Sequence, residues 1–262
     1  MEDQLQRISS WVSHLVKART RHGVHSPFIY TLATDVLRAD QELELFSPIE
    51  RLREELFASD QVIRVNDLGA GSRRLDMDLR AVSDIAHTSL KPPRQARLLH
   101  RLVRHFAPGT VLELGTSFGL TTLYLAHGME HGRVITVEGC PQIHRIARHH
   151  FEQLGRRDIE AVLGGFRTAL PDILRRTERL DMVFMDGHHA EAPTLDYFEQ
   201  CLTRAHNDTV FIVDDIHWSR GMESAWERIK AHERVRVTVD LYDLGLVFLR
   251  REQEPQHFRL RY

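Results

Sequence analysis

The segment Val111–Gly119, which reads Val-Leu-Glu-Leu-Gly-Thr-Ser-Phe-Gly, constrains the fold more than any other part of the chain. Its apolar start predicts a buried strand, and the apolar run Leu120–Ala126 that follows predicts a helix. The strand would carry Glu113 into a loop in which Gly115 and Gly119 let the backbone approach a ligand closely. Because free amide groups at the start of a helix favour negative charge, the sequence predicts a nucleotide-type pocket at this turn.

A second carboxylate ends the next predicted strand, Arg133–Glu138, about 25 positions after Glu113. Such a carboxylate can accept hydrogen bonds from both hydroxyls of a ribose. A nicotinamide dinucleotide is the main alternative ligand, but its G-x-G-x-x-G loop is missing, since this loop has only two glycines. An ordinary strand–helix turn is the other alternative. The cofactor that we predict is S-adenosylmethionine, which carries no phosphate.

The overall charge argues against two classes of partner. Lys and Arg total 35 and Asp and Glu total 37, so no global field would draw the chain to nucleic acid or to an anionic membrane. A short basic segment, Lys17–His22, reads as the end of an amphipathic helix. No secretory signal or apolar membrane span is visible, and Cys140 and Cys201 read as unpaired thiols. We therefore expect a cytoplasmic protein.

Helical and strand patterns alternate regularly from Arg94 onward, which is typical of a parallel sheet covered on both faces. Near the end, the apolar runs Val235–Leu241 and Leu244–Leu249 are separated by two residues, too few for a parallel crossover. The predicted fold class is α/β, a Rossmann-like doubly wound and mostly parallel sheet with a C-terminal antiparallel strand pair. The predicted strands before that pair are 111–114, 134–137, 159–163, 182–185 and 210–213, and the predicted helices are 94–106, one beginning near 120, 142–154, 167–177, 192–205 and 220–232.

The first part of the chain has a different pattern. Residues 1–90 are mostly helical in character, including the amphipathic segment Leu5–Val16, and we predict that they form a cap or lid on an S-adenosylmethionine-binding domain at 91–262. The segment Val65–Ser72 superficially repeats the glycine loop. Because a polar stretch follows it and no acidic residue stands at the ribose-binding spacing, we interpret it as a turn or part of a lid.

Three aspartates follow two of the predicted strands. Asp186 comes after the strand at 182–185, and Asp214 and Asp215 come after the strand at 210–213. Carboxyl ends of neighbouring parallel strands line one crevice, so these side chains should converge. Several hard oxygen donors suit Mg²⁺. The alternative is that these aspartates only cap or solvate the loops that follow the strands.

Four nearby ring side chains carry weaker signals. We interpret His188 and His217 as hydrogen-bonded residues of the site wall, with a metal or catalytic role as the alternative for each. Trp226 lies on the same helical face as Met222 and Ile229, so we predict that it is buried. Trp218 is predicted to be a packing residue close to the site.

From about Ser89 to Leu249 the chain resembles class I S-adenosylmethionine-dependent methyltransferases, in the branch of catechol, caffeoyl-coenzyme A and macrolide-sugar O-methyltransferases. The motifs that carry this resemblance are the loop Glu113–Gly119, Glu138, Asp186-Gly-His-His189 and the Asp214-Asp215 pair with Trp218. The resemblance implies a cofactor site and Asp186, Asp214 and Asp215 as metal ligands. In the cofactor site, Glu138 would hold the ribose, Thr121 and the loop amides the methionine end, and Gly165 and Phe166 the adenine. The full set of expected cofactor-binding residues is Glu113, Gly115, Ser117, Gly119, Thr121, Glu138, Gly165, Phe166 and Asp186.

Two positions depart from the catechol and caffeoyl pattern. His189 stands where those enzymes place a lysine base, and Asp214-Asp215 stands where they have Asp-Asn. Both departures are similar to the sugar O-methyltransferases, some of which use a histidine base. The resemblance therefore implies that His189 is the catalytic base.

The predicted function is Mg²⁺-dependent O-methylation of a small hydroxylated molecule. The alternatives are a metal-free N-methyltransferase or protein methyltransferase, and a non-catalytic S-adenosylmethionine-binding protein. The expected partner is a small acceptor with a hydroxyl group, with no nucleic acid and no membrane, and self-association as a homodimer stays open. The sequence does not identify the acceptor.

Overall fold

The computed structural model describes residues 2–20, 23–38, 43–65 and 78–262. The chain divides into two compact units, one formed by residues 1–39 with 174–262 and the other by residues 40–173. The predicted separation of a cap at 1–90 from a domain at 91–262 stays a prediction. The predicted turn at Val65–Ser72 lies, apart from Val65 itself, outside the described residues.

The helices and strands follow one another in an alternating order over most of the chain. The α-helices are α1 (Glu2–Lys17), α2 (Pro27–Thr31), α3 (Ser47–Phe57), α4 (Val82–Ser89), α5 (Pro93–Phe106), α6 (Leu120–Gly128), α7 (Pro141–Gln153), α8 (Phe166–Arg176), α9 (Glu191–Leu202) and α10 (Arg220–Lys230). A π-helical turn at Leu32–Val36 follows α2, and a 3₁₀ turn at Leu43–Phe46 precedes α3. The strands are β1 (Val62–Val65), β2 (Asp78–Ala81), β3 (Thr110–Leu114), β4 (Arg133–Glu138), β5 (Ile159–Leu163), β6 (Leu180–Met185), β7 (Ala205–Asp214), β8 (Val237–Asp240), β9 (Leu244–Phe248) and β10 (Gln256–Arg259).

In the unit of residues 40–173, β4 lies between β3 and β5 and runs parallel to both. The strands β3 and β4 are buried along nearly their whole length, as expected for parallel strands covered by helices. Helix α6 is buried on almost every side, which its uniformly apolar sequence explains. The backbone that leaves β3 and β4 is therefore anchored in a core.

The same unit contains a two-stranded antiparallel pair, β1 and β2, which the sequence did not predict. In β1 the side chains alternate between exposed and buried, with Ile63 and Val65 on the inner side. These inner residues join a core that includes Phe46 and Leu52 from the segments before β1 and Tyr124 from α6. The N-terminal part of the chain is thus mostly helical, as predicted, with one added strand pair.

In the unit of residues 1–39 and 174–262, β6 and β7 are parallel, and β9 pairs antiparallel with both β7 and β8. The predicted C-terminal antiparallel strand pair is confirmed as β8 and β9. Strand β10 adds a parallel edge beside β8, which the sequence did not predict. Within the two units most strand pairs are parallel, so the predicted Rossmann-like α/β class with a C-terminal antiparallel pair is confirmed.

The predicted boundary between the helix at 192–205 and the strand at 210–213 was wrong at both elements. Helix α9 ends at Leu202, and β7 begins at Ala205, which pairs with Leu180 of β6 before a register shift that passes over the polar residues up to Val210. Thr209 stabilises this pairing, since its hydroxyl donates to the carbonyl of Leu180 at 2.6 Å. Polar residues in a strand carry no apolar periodicity, so the sequence pattern missed them.

The described part of the chain contains no helix that is both long enough and apolar enough to cross a membrane. Cys140 and Cys201 are buried free thiols, which confirms the prediction that they are unpaired.

Candidate functional site

The glycine loop after β3 is built from three residues in the left-handed region of backbone space. Gly115 has φ 113°, Ser117 has φ 47° and Gly119 has φ 83°. At Gly119 a Cβ atom would lie 2.5 Å from the ring of Phe151, so only glycine fits. This backbone turns sharply into α6 and leaves the amide groups of its first turn facing the loop. Thr121, in that first turn, is buried.

Glu113 lies beneath this loop and is fully buried. Its carboxylate accepts hydrogen bonds from the hydroxyl groups of Thr122 at 2.5 Å and Thr136 at 2.6 Å. The hydroxyls of Thr136 and Thr116 are themselves 2.6 Å apart. Glu113 therefore ties β3, β4 and α6 together, and its direct contact with a cofactor stays a prediction.

Glu138, at the end of β4, faces the loop. Its carboxylate accepts hydrogen bonds from the backbone amides of Ser117 at 2.9 Å and Cys140 at 2.8 Å. Burial raises the pKa of the Glu138 carboxyl group above its usual value, although these amides oppose the rise. Each carboxylate oxygen holds one amide and retains capacity for one more donor, which is what two ribose hydroxyls require. The residues present fit the predicted ribose site.

The end of β5 lies against the end of β4, because the amide of Gly164 donates to the carbonyl of Glu138 at 2.9 Å. Gly165 follows directly, and Phe166, which is partly exposed, is the first residue of α8. The carbonyl of Gly165 accepts the amide of Ala169 at 2.9 Å, which closes the first helical turn. These two residues therefore stand one loop away from Glu138, as an adenine-bordering role requires.

Three side chains in the other unit form what we term the strand-end cluster: Asp186, His189 and Asp214. Their ligand atoms all lie within 4.8 Å of one another. Asp186 follows β6 and is partly exposed, whereas Asp214 ends β7 and is buried. His189 lies 3.9 Å from a carboxylate oxygen of Asp186. Carboxylates held this close repel one another, so the cluster favours a bound cation.

Asp215 is oriented differently from Asp214. Its φ is 54°, and its amide donates to the carbonyl of Asp243 at 2.7 Å. Its carboxylate lies 3.5 Å from Nδ1 of His189, so it adjoins the strand-end cluster through the histidine. The structure thus brings Asp186, Asp214 and His189 together, with Asp215 at their edge, and the predicted assignment of metal ligands and base stays a prediction.

The neighbouring ring side chains have defined surroundings. His188 hydrogen-bonds through Nδ1 to the Tyr197 hydroxyl at 2.8 Å, which fits the predicted wall residue. Trp226 is buried, as predicted. Trp218, predicted to be a packing residue close enough to the site to touch a substrate, is 45% exposed, and its ring centre lies 6.4 Å from that of His189. An exposed indole beside the cluster offers a surface on which a flat acceptor can lie.

The sequence did not predict the hydrogen bonds that other helices make with the glycine loop. His150, on α7, hydrogen-bonds through Nδ1 to the carbonyl of Phe118 at 2.8 Å, and burial lowers its pKa. The Ser117 hydroxyl meets that of Ser89, the last residue of α4, at 3.0 Å. These contacts depend on how helices pack on the loop, and no local motif announces them.

Comparison with known proteins shows which family part of this chain resembles. Residues 112–216 match a family profile described as "Methyltransferase domain". A catechol O-methyltransferase of Mycobacterium tuberculosis is 30% identical over 125 residues, which cover 47% of this chain and 55% of that protein. A catechol O-methyltransferase of Niastella koreensis is 26% identical over 127 residues, covering 47% of this chain and 57% of that protein. The chain thus spans little more than half the length of these relatives.

A solved structure gives the same result for the fold. The O-methyltransferase from Bacillus cereus, solved in complex with SAH, superposes with a TM-score of 0.57 at 22% sequence identity, covering 84% of this chain and 96% of that one. The predicted resemblance to class I S-adenosylmethionine-dependent methyltransferases is confirmed. Within that class, the similarity is to the O-methyltransferase branch.

Proposed function

We propose that this chain transfers a methyl group from S-adenosylmethionine to a hydroxyl of a small molecule, in a reaction that depends on Mg²⁺. The observation that supports this most strongly is the strand-end cluster, in which two strand-end aspartates and a histidine share one small space. Its donor set of carboxylates with an adjacent imidazole fits a hard divalent cation and a proton acceptor. The catechol O-methyltransferases that the chain matches favour an aromatic diol as the acceptor.

The chain's own residues divide the work between the glycine loop and the strand-end cluster. Glu138 binds the ribose hydroxyls, and the loop amides at the start of α6 receive the carboxylate of the methionine end. Asp186, Asp214 and Asp215 hold the cation. When bound, Mg²⁺ lowers the pKa of a hydroxyl that it contacts.

His189 accepts the proton of the acceptor hydroxyl, and the carboxylate of Asp215, 3.5 Å from its Nδ1, orients the ring. The exposed ring of Trp218 supports the acceptor from one side. These roles need only proton transfer and positioning from the protein, because the sulfonium supplies the leaving group.

Calorimetry with S-adenosylhomocysteine tests the cofactor assignment. Glu138→Ala removes two charge-assisted hydrogen bonds to the ribose, so we expect the Kd to rise about 100-fold. Glu152→Ala, which removes an exposed carboxylate on α7, is the matched control and should bind normally. Equal affinity of the two variants, or tight binding of NADH by the wild type, would contradict the assignment.

A methyl-transfer assay tests the reaction. Labelled S-adenosylmethionine is incubated with catechol, and separately with a small-metabolite extract, with Mg²⁺ or with EDTA. Label that enters a small molecule only with Mg²⁺ supports the proposal. Transfer that EDTA leaves unchanged indicates a metal-free enzyme, label on protein indicates a protein methyltransferase, and cofactor binding without transfer indicates a binding protein.

A further inference from the structure

A second group of metal-ligating side chains lies in the unit of residues 1–39 and 174–262. We term it the buried histidine cluster: His14 on α1, His217 after β7 and Asp240 at the end of β8. One ligand atom from each lies within 4.8 Å of the others. His14 and Asp240 are each only 4% exposed. None of these residues belongs to the strand-end cluster, and the proposed function does not use them.

The Nε2 nitrogen of His14 already makes a hydrogen bond. Its Nε2 lies 3.2 Å from the carbonyl oxygen of Leu260, and because a carbonyl can only accept, Nε2 must carry the hydrogen. In a neutral imidazole the other nitrogen, Nδ1, then carries a lone pair. This Nδ1 is buried, lies 3.1 Å from a carboxylate oxygen of Asp240, and makes no hydrogen bond of acceptable geometry among the described residues.

His217 is arranged in the same way. Its Nδ1 lies 3.1 Å from a carboxylate oxygen of Glu223, which also accepts the hydroxyl of Ser10. A carboxylate only accepts, so Nδ1 carries a hydrogen, and by the same rule Nε2 carries one toward Asp240 until a metal replaces that proton. That Nε2 lies 3.1 Å from the second oxygen of Asp240. A carboxylate that binds the outer nitrogen of a metal-ligating histidine is a common feature of zinc sites.

Other contacts hold the three side chains in place. The ring of Tyr242 stacks on His217 at 5.2 Å and meets His14 edge-on at 5.6 Å. The backbone amide of Tyr242 donates to Asp240 at 2.9 Å, and Arg259 donates to the same carboxylate at 3.1 Å. The arrangement is therefore set before any ligand arrives, which lowers the entropic cost of binding one.

Two imidazole nitrogens and a carboxylate thus converge in a buried space. Without a metal, the His217 proton and the Arg259 guanidinium face the Asp240 carboxylate, while Nδ1 of His14 has no hydrogen-bond partner among the described residues. One divalent cation that replaces the His217 proton would also bind this His14 nitrogen. We propose that His14, His217 and Asp240 bind a Zn²⁺ ion, since a set of two imidazoles and one carboxylate is typical of zinc and unlike the all-oxygen set that Mg²⁺ prefers.

The site has a route to solvent and a structural consequence. A cavity of about 300 Å³, whose lining includes His14, His217, Glu223 and Arg259, reaches it and leaves room for a water as a further ligand. The ion would join α1, the loop after β7 and the end of β8. Because the metal binds the folded chain, it adds its binding free energy to the stability of this unit.

The test is metal analysis and calorimetry with ZnCl₂ on tag-free, EDTA-treated full-length protein. We expect one Zn²⁺ per chain with a Kd in the micromolar range or tighter. His14→Gln and His217→Gln should each weaken binding at least about 100-fold and abolish a Zn²⁺-dependent rise in Tm of about 5 °C. His206→Gln, which removes a partly exposed histidine paired with Asp181, should bind as the wild type does.

Two further measurements fix the location of the ion. The double variant Asp186→Asn with Asp214→Asn should retain the site, whereas loss of Zn²⁺ in that variant alone would assign the ion to the strand-end cluster and overturn the proposal. Wild-type crystals soaked in Zn²⁺ should show an anomalous peak about 2.0–2.2 Å from all three side chains, a readout that does not depend on the variants folding. No stoichiometric binding by the wild type would also overturn the proposal.

Discussion

The strand-end cluster and the buried histidine cluster contain the same kinds of side chain but differ in how firmly each is held. In the strand-end cluster the His189 ring is about one-third exposed and its nearest carboxylate atoms lie at 3.5 and 3.9 Å. In the buried histidine cluster the corresponding distances are 3.1 Å, and His14 is 5% exposed in its side chain.

The difference shows what each arrangement is suited to do. A catalytic base must exchange protons with an acceptor, so a ring that is partly exposed and loosely paired serves that task. A structural ligand must stay in one orientation, which outer hydrogen bonds to Leu260 and Glu223 provide for His14 and His217. Similar residue types therefore favour a catalytic role in the strand-end cluster and a structural role in the buried histidine cluster.

The largest expected effect separates the two clusters by activity. Asp214→Asn keeps the shape of a buried strand-end residue but removes its charge, so we expect turnover with Mg²⁺ to fall about 10⁴-fold. Zn²⁺ binding by the buried histidine cluster should be unchanged. Asp196→Asn, on the exposed face of α9, is the control for both measurements. Loss of both properties in Asp214→Asn would mean that the clusters are not independent.

The second prediction concerns the loosely held histidine. His189→Ala should lower turnover about 10³-fold while leaving the affinity for S-adenosylhomocysteine unchanged, because the ring acts on the acceptor proton. His206→Ala removes another histidine that pairs with an aspartate, 2.9 Å away at the start of β6 and β7, and should retain full turnover. Near-normal rates for His189→Ala in steady-state assays would reduce its role to that of a wall residue.

A smaller effect is expected at Glu223, whose carboxylate hydrogen-bonds to Nδ1 of His217. Glu223→Gln replaces the carboxylate that orients His217 with a neutral amide, so Zn²⁺ affinity should fall about 10–100-fold. Competition with a chelator of known affinity gives the value. Glu227→Gln, one turn further along α10 and paired with Lys230, should leave the affinity as it is. A chelator profile identical in the two variants would contradict an orienting role for Glu223.

The smallest expected effect concerns His100, a buried histidine that belongs to neither cluster. Burial, with further contributions from His127 and nearby arginines, lowers the pKa of His100 to about 4. The unfolded chain therefore binds this proton more readily, and stability should fall as the pH drops below about 6.5 toward 4. Between pH 7 and pH 5 we expect a loss of about 1–2 kcal/mol from this residue.

Chemical denaturation at pH 7 and pH 5 measures that loss. His100→Gln has no titrating ring at this position and should show a correspondingly shallower dependence on pH. His131→Gln, an exposed substitution, is the control. A slope in His100→Gln equal to that of the wild type would show that acid acts on the fold through other groups.

The sequence predicted the elements around the glycine loop well because each one carries a local signal. Val111–Leu114 and Val134–Val137 are continuous apolar runs, and they became β3 and β4 within one residue at each end. The acidic residues that follow strands were predicted in the same way, from their position after an apolar run. A helix boundary was missed at Ala205–Thr209, the mostly polar start of β7, because its own pattern does not indicate the pairing of Ala205 with Leu180.

The buried histidine cluster could not be predicted for a related reason. His14 hydrogen-bonds to a residue 246 positions away, and nothing near either residue indicates the other. Asp240 lay within a predicted strand, where a lone acidic residue has no distinguishing spacing. Such a cluster becomes visible only when packing brings the two ends of the chain together.

The left-handed backbone conformation of Asp215 affects which residues can replace it in the Asp214-Asp215 pair. Asparagine and aspartate are, after glycine, the residues that adopt this conformation most readily. Asp214, in contrast, is the last residue of a regular strand. The turn thus favours glycine or a short polar side chain at the second position before any ligand is considered. The exchange of Asp-Asp for Asp-Asn between branches of these methyltransferases then needs no compensating change in the backbone, and the two pairs are interchangeable as turns even where their charges differ.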